Sequence, residues 1–179
     1  MVTVVNPGDH AGDEADASVT ATTGAVLAVH TADCAPVVLV SPAGVVGVVH
    51  AGWRGLATGV LDAAVQAMRR RRRRLGAGDV HAVVGPCIGP ECYAFGPADL
   101  GRVAAELGEA VRGRTSDGDP ALDLVAGVRA GLARVGVDRI ETVGSCTACT
   151  GEWFSHRARG DTGRQATVVW LDRRRVGQR

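Results

Sequence analysis

The amino-acid sequence contains no lysine, so all 20 of its basic residues are arginine. It is also poor in aromatic residues, with three Trp, two Phe and one Tyr among 179 residues. Because apolar residues still make up 46% of the chain, we expect valine, leucine and alanine to fill one sizeable core. The net charge of +1 argues against a general nucleic-acid-binding or membrane-binding surface.

Long hydrophobic runs are absent as well. No stretch reaches the roughly 18 apolar residues that a membrane-spanning helix needs. The N-terminus lacks the basic and apolar regions of a signal peptide. The five cysteines are an odd number, which suits a reducing compartment better than a disulfide framework. These features predict a cytoplasmic protein.

Strand and helix patterns alternate along the chain. Residues 37–40 and 45–49 are apolar runs on either side of Ser41-Pro42-Ala43-Gly44, a pattern that predicts a β-hairpin. Mixed strands and helices with a hairpin among them favour an α+β fold over a purely parallel sheet. Helical spacing and helix-starting residues predict helices over 56–74, from Pro97, and from Asp119-Pro120 to Gly136.

A cysteine and a histidine are placed to meet at the open end of this hairpin. If Val40 pairs with Val45, Ala35 lies opposite His50 and Cys34 follows one residue further along. Cross-strand neighbours are roughly 5 Å apart and diagonal ones about 7–8 Å. A thiolate and an imidazole would therefore converge, as in a metal site or a Cys–His nucleophilic pair. The alternative is that both are ordinary core residues, and spacing alone does not decide between them.

Two flanking residues could assist such a site. Asp33, next to the cysteine, could orient the imidazole through a hydrogen bond. Arg54 lies in a glycine-lined turn between a strand and a helix, where the backbone is open to a ligand and a helix N-terminus favours anions. A guanidinium there could bind phosphate in bidentate fashion. The alternative is an ordinary turn with an exposed arginine.

Three other segments carry charged or metal-ligating residues. The segment 155–164 is rich in phosphate-type donors, or is simply a solvated loop with surface arginines. Cys146 and Cys149 have C-x-x-C spacing, but a zinc site needs two more ligands, and we do not expect Cys87 and Cys92 to complete it. The six arginines before Leu75 end a predicted helix and lack an aromatic stacking platform. We interpret them as a solvated helix end rather than a nucleic-acid site.

Four motifs together resemble one protein family. Their order and separations are similar to those of YfiH-type laccase-domain proteins, also called multicopper polyphenol oxidases. The resemblance covers nearly the whole chain and implies a layered α/β/β/α sandwich related to cysteine hydrolases. We expect one such domain over residues 1–172 and a disordered arginine-rich tail over 173–179. The motifs are Thr31-Ala32-Asp33-Cys34, His50-Ala51-Gly52-Trp53-Arg54-Gly55, Gly85-Pro86-Cys87-Ile88-Gly89-Pro90 and Thr162-Gly163-Arg164.

The resemblance implies a zinc-dependent purine nucleoside phosphorylase acting on adenosine, inosine, guanosine or methylthioadenosine with phosphate. Adenosine deamination is also attributed to the family. The implied zinc ligands are Cys34, His50 and a further histidine, with copper as the alternative metal. Cys34, Asp33 and Arg54 would be catalytic, and Arg54 and Arg164 would bind phosphate.

The sequence departs from the family pattern in two places. The further histidine belongs to a Q-V-H-G element whose place falls immediately before Met1, and Ala158-Arg159 replaces the family's Arg-Asp. We therefore expect this 179-residue form to bind zinc weakly at Cys34 and His50. One alternative is a copper-dependent polyphenol oxidase. It is disfavoured because multicopper sites need many histidine ligands and the sequence has only five scattered histidines. Another is a non-catalytic remnant, and an in-frame Q-V-H-G encoded upstream would count against it.

Overall fold

The computed structural model describes residues 2–4, 6, 8–71 and 79–172. The predictions for the end of the arginine run and for the tail 173–179 concern residues outside these ranges. The strands are β1 Val2–Val4, β2 Ala17–Thr20, β3 Val26–Thr31, β4 Ala35–Ser41, β5 Val45–Ala51, β6 His81–Val84, β7 Arg112–Arg114, β8 Pro120–Leu122, β9 Arg139–Thr142 and β10 Gln165–Trp170. The α-helices are α1 Trp53–Ala57, α2 Val60–Arg71, α3 Pro97–Leu107, α4 Leu124–Arg134 and α5 His156–Arg159, and 3-10 turns cover Pro90–Cys92 and Glu109–Val111.

A six-stranded mixed sheet in the order β1-β2-β5-β4-β6-β9 forms the centre of the fold. Its β4–β5 hairpin pairs antiparallel, whereas β1–β2 and β6–β9 pair parallel. This mixture confirms the predicted α+β class with mixed sheets. The α/β/β/α layering and the relation to cysteine hydrolases stay predictions. No helix in the described ranges combines the length and the apolar character needed to cross a membrane.

The central strands are apolar on both sides because both sides are covered. Val37 and Val49 pack with the helices in the main core, whereas Val46 and Val48 pack with the two-stranded β3–β10 ladder. Strands buried on both faces read as nearly continuous apolar runs, which explains the valine-rich hairpin. Val37 and Leu39 on β4 and Val49 on β5 are fully buried. The ends of these strands are therefore held in fixed positions.

The hairpin register differs from the prediction by one residue. Val40 pairs with Val46 rather than Val45, so that Pro36 lies opposite His50. The cause is a three-residue loop, since Gly44 adopts the left-handed conformation with φ of +76° and donates its N–H to the Ser41 carbonyl. Three-residue hairpin loops commonly place a left-handed glycine at this point.

Replacing Gly44 by alanine should destabilise the protein by about 1–2 kcal/mol, because an L side chain is strained at this φ. Gly101 is the matched control, since it lies within α3 and a Cβ there would meet nothing within 4 Å. Gly101→Ala should stabilise by roughly 0.4–1 kcal/mol. Urea unfolding of both variants measures the effect, and equal signs would contradict the assignment of the loop.

Two of the predicted helices have different bounds in the structure. The helix expected over 56–74 starts earlier, at Trp53, and is interrupted at Gly59, whose φ of +82° ends α1 before α2 begins. The helix expected from Asp119-Pro120 starts at Leu124, capped by the Asp123 carboxylate. Pro120 instead opens β8, in a two-stranded ladder where proline is tolerated. The helix predicted from Pro97 is confirmed.

Candidate active site

Cys34 and His50 do converge, at one end of the two middle strands of the central sheet. Cys34 directly precedes β4 and His50 is the penultimate residue of β5, so the antiparallel pairing brings them to the same end. A Cβ placed on Gly52 would lie 3.2 Å from the Cys34 Sγ and 3.7 Å from the His50 Nε2. The sulfur and the nitrogen can therefore be no further apart than these two distances together. Glycine at position 52 leaves the space in which the two side chains meet.

The imidazole of His50 is oriented by Asp16, not by Asp33 as the sequence suggested. The Asp16 Oδ1 lies 2.8 Å from the His50 Nδ1, which leaves Nε2 directed toward the cysteine. The pKa of His50 is raised from 6.5 to about 9, chiefly by the side-chain hydrogen bond with Cys34. The hydrogen bond with Asp16 also raises this pKa, while partial burial of the ring lowers it.

In the metal-free protein, we expect the His50 ring to titrate near pH 9 and Asp16→Asn to lower its pKa. The pKa of His50 in the folded protein exceeds the unfolded value of 6.5. Its protonation therefore contributes to stability, and this contribution is fully present below about pH 6.5. That contribution is lost as the pH rises through about 9. NMR titration of the histidine rings measures the pKa. The His81→Gln variant assigns the signal of the His81 ring, so that it is not mistaken for that of His50. Unchanged titration of His50 in Asp16→Asn would contradict the pairing.

Asp33 instead joins distant segments of the chain through the hydrogen bonds of its carboxylate, and we call it a brace in this sense. It is buried, and its φ of +90° is rare for a non-glycine residue. Its Oδ1 accepts hydrogen bonds of 2.7 Å from the hydroxyls of Thr147 and Ser155, and its Oδ2 accepts one of 2.7 Å from the Arg157 backbone N–H. The carboxylate therefore ties the turn that carries Cys34 to the C-terminal part of the chain.

Arg54 is exposed and lies beside the cysteine–histidine pair. Together with Cys34, His50 and Gly52 it lines a cleft of about 240 Å³. Its guanidinium stacks over the Trp53 ring at 4.5 Å from the centroid, and no carboxylate of the described residues forms an ion pair with it. Because α1 has only five residues, its dipole contributes little. An anion in this cleft would therefore find the guanidinium without a competing ion pair, beside the His50 ring and the Asp16 carboxylate.

Arg164 is not among the residues that line this cleft. Its Nη1 lies within 3.2 Å of the carbonyl oxygens of Asp161, Thr162 and Gly163. It directly precedes β10, whose Gln165 pairs with Thr31 two residues before Asp33. Arg164 therefore lies beside the end of β3 that leads to Asp33, with its side chain engaged by its own loop, and its role in phosphate binding stays a prediction.

A row of aromatic rings beside the site was not predicted from the sequence. The rings of Trp53, Phe95 and Tyr93 contact one another edge to face, with centroids 5.5 and 5.3 Å apart. Arg54 stacks on one end of this row, and the Arg157 guanidinium lies 5.0 Å from the Tyr93 centroid at the other. Burial raises the pKa of Tyr93. Tyr93 and Phe95 are neighbours in the sequence, but the contact of Phe95 with Trp53 joins distant parts of the chain and has no local sequence pattern.

One group of three or more metal-ligating side chains is present in the described ranges, and it does not include Cys34 or His50. It consists of Glu91, Cys92, Cys146 and Cys149. All five cysteines are free thiols. At the candidate site itself, the described residues offer the sulfur of Cys34 and the Nε2 of His50 as a two-ligand pair.

The structure thus combines a mixed α+β fold with a Cys–His pair beside an exposed arginine. A family model described as multi-copper polyphenol oxidoreductase laccase matches residues 1–172. The chain belongs to this family, the YfiH-type laccase-like proteins, as its motifs indicated.

Curated relatives carry a different functional name. The chain is 46% identical over 163 residues to Purine nucleoside phosphorylase ORF3 of Streptomyces griseus, covering 88% of this chain and 63% of that protein. It is 43% identical over 169 residues to a purine nucleoside phosphorylase of Streptomyces coelicolor, covering 92% and 67%. The chain thus spans about two thirds of the length of these relatives.

Solved structures of the family share the fold. YlmD from Geobacillus stearothermophilus superposes with a TM-score of 0.84 at 32% identity, covering 96% of this chain and 70% of that one. A Neisseria meningitidis protein of the DUF152 family superposes with a TM-score of 0.83 at 35% identity, covering 96% and 71%.

Proposed function

We propose that this chain provides the catalytic site of a zinc-dependent purine nucleoside phosphorylase. The observation that carries the proposal is the meeting of Cys34 and His50 in a cleft that Arg54 also lines. The names of the Streptomyces relatives support the reaction class. The substrates would be a purine nucleoside, such as adenosine, inosine, guanosine or methylthioadenosine, and inorganic phosphate.

The donor atoms of the pair fit zinc. Thiolate and imidazole are the nitrogen and sulfur ligands that zinc prefers. The hydrogen bond from the His50 Nδ1 to Asp16 is the outer contact that metal-ligating histidines usually make, since it fixes the ring with Nε2 free. When bound, zinc would supply a Lewis acid and lower the pKa of a coordinated water.

The protein side chains would act mainly by positioning. In phosphorolysis, a phosphate oxygen forms a bond to the anomeric carbon of the ribose while the bond to the purine nitrogen breaks, and that nitrogen takes up a proton. Arg54 would hold the phosphate through charge-assisted hydrogen bonds, with Arg164 as the second candidate donor. Asp33 would keep Cys34 in place through its bonds to the C-terminal segment. Cys34 is the metal ligand in this scheme.

Adenosine deamination is the second candidate activity, and the same residues bear on it. A protein site of few ligands leaves positions on zinc open to water, as hydrolytic chemistry requires. Phosphorolysis and deamination give different products from adenosine, namely adenine with ribose 1-phosphate, and inosine with ammonia. Only the former requires phosphate.

The test is chromatography of adenosine incubated with the purified full-length gene product, with and without phosphate. We expect adenine that depends on phosphate, and its loss by at least about 100-fold in Cys34→Ala and His50→Ala, as for residues that act in the reacting centre. His81→Ala on β6 is the matched control and should remain active.

Other products would indicate other activities. Formation of inosine in the absence of phosphate would indicate deamination instead. Phenol oxidation with copper and no nucleoside turnover would favour the oxidase, and no turnover of either would favour a non-catalytic remnant.

A further inference from the structure

Four potential metal ligands meet at a place separate from the cysteine–histidine pair. We refer to Glu91, Cys92, Cys146 and Cys149 as the three-cysteine cluster. Their ligand atoms all lie within 4.8 Å of one another. The Cys92 and Cys149 sulfurs are 3.3 Å apart, and the Cys149 sulfur is 3.4 Å from the Glu91 Oε1. The cluster joins the 3-10 turn after β6 to the loop after β9.

We propose that the three-cysteine cluster binds one zinc ion through three thiolates and one carboxylate. A tetrahedral zinc site with Zn–S near 2.3 Å and Zn–O near 2.0–2.2 Å has edges of about 3.5–3.8 Å between its ligand atoms. The distances in the cluster, from 3.3 Å to at most 4.8 Å, bracket these edges, so small rotations of the side chains would complete the site. Thiolates favour zinc over magnesium and calcium, which prefer oxygen ligands.

The backbone around the cluster supports this reading. Cys146 and Cys149 have the C-x-x-C spacing that occurs in structural zinc sites. The Gly89 N–H donates to the Cys146 sulfur at 3.2 Å, and such a hydrogen bond stabilises a metal-bound thiolate. A Cβ at Gly89 would collide with the Glu91 carboxylate, so glycine allows the carboxylate to fold back toward the sulfurs.

A disulfide between Cys92 and Cys149 explains less of the arrangement. It would remove two hydrogens with the help of an oxidant, and it would leave Cys146 and Glu91 beside it without a role. A cation at the centre uses all four side chains. Its binding would release the thiol protons, including the one that Cys149 donates to the Glu91 carboxylate in the metal-free chain.

A zinc ion there would fix the segment that braces the candidate active site. Thr147, between the two cysteines of the C-x-x-C pair, donates its hydroxyl hydrogen to Asp33. The carbonyl oxygens of Thr147 and Ala148 accept hydrogen bonds from the Arg159 guanidinium. The ion would be structural, and the inference is independent of the proposed catalytic function.

The experiment is a cobalt titration of the reduced, metal-free chain, followed by absorption spectroscopy. We expect thiolate-to-cobalt charge-transfer bands and the d–d bands of a tetrahedral site. Cys149→Ser should abolish most of this absorbance, since its side chain is exposed and the substitution leaves the core intact. Cys34→Ser is the matched control and should retain it. Circular dichroism and thermal unfolding confirm that each variant is folded.

Zinc measurements give a second readout and separate the two sites. We expect one tightly bound zinc per wild-type chain, lost in Cys149→Ser and weakened in Glu91→Gln. The weak zinc binding expected at Cys34 and His50 should then be measured in the Cys149→Ser protein. The proposal is overturned if Cys149→Ser binds metal as wild type does while Cys34→Ser does not. It is also overturned if folded, reduced wild type takes up no metal, or if thiol titration of the untreated protein shows a Cys92–Cys149 disulfide.

Discussion

Replacing Arg54 by alanine should lower kcat/KM for phosphorolysis by about 30- to 1,000-fold. This range corresponds to the loss of about 2–4 kcal/mol of transition-state stabilisation that follows removal of one preorganised donor to a developing charge. The guanidinium lines the Cys34–His50 cleft and stacks on Trp53, so it is already ordered without an acidic partner. The loss should appear mainly as a higher KM for phosphate, so that the rate saturates only at higher phosphate concentrations.

Two comparison variants sharpen this test on the full-length gene product. Arg54→Lys keeps the charge but lacks the two-pronged geometry and the ring stacking, so it should also be impaired. Arg102 is the matched control, because it is exposed on α3 and pairs only with Asp99. Arg102→Ala should leave kinetics unchanged and stability within about 0.5 kcal/mol. If Arg54→Ala retains wild-type turnover and phosphate dependence, Arg54 does not bind phosphate and the turn is structural.

Replacing Asp33 by alanine should destabilise the protein by about 3–5 kcal/mol. The substitution leaves the buried hydroxyls of Thr147 and Ser155 and the N–H of Arg157 without their acceptor, and each such group costs about 1–3 kcal/mol. Asp33→Asn should lose less, since it retains one carbonyl oxygen and asparagine tolerates the left-handed region. The free energy of unfolding in urea is the quantity to measure.

Glycine at this position distinguishes lost hydrogen bonds from backbone strain. Asp33→Gly loses the same acceptor as Asp33→Ala but relieves the strain at φ of +90°, so it should be about 1 kcal/mol more stable than the alanine variant. At most other positions, a glycine variant is less stable than the corresponding alanine variant. Asp62→Ala, on the exposed first turn of α2, should change stability by less than about 1 kcal/mol. Equal losses at positions 33 and 62 would show that Asp33 is not a brace.

The local patterns predicted much of the fold and the centre of the site. Continuous apolar runs around a Pro–Gly turn predicted the β4–β5 hairpin, and Pro97 marked the start of α3. The meeting of Cys34 and His50 survives the one-residue error in register, because both residues stay at the same end of an antiparallel pair. The register itself depends on the φ of Gly44, which the sequence allows but does not specify.

The partners of these residues could not be predicted in the same way. Asp33 was expected to orient His50, yet Asp16 does so, because β2 pairs with β5 and brings the end of a glycine-rich loop to the imidazole. The assignment of Arg54 and Arg164 to phosphate remains a prediction that the geometry of Arg54 supports.

By itself, the sequence determined which residue types are available and where each strand and helix can form, since these depend on interactions within a few residues. The tertiary structure alone decided that Cys92 and Glu91 lie beside the C-x-x-C pair Cys146 and Cys149. It also decided that Asp33 accepts a hydrogen bond from the Thr147 hydroxyl. These contacts join positions more than fifty residues apart, 57 in the case of Cys92 and Cys149. Such contacts arise from the packing of β6, β9 and the loops that follow them, which no local pattern of residues encodes.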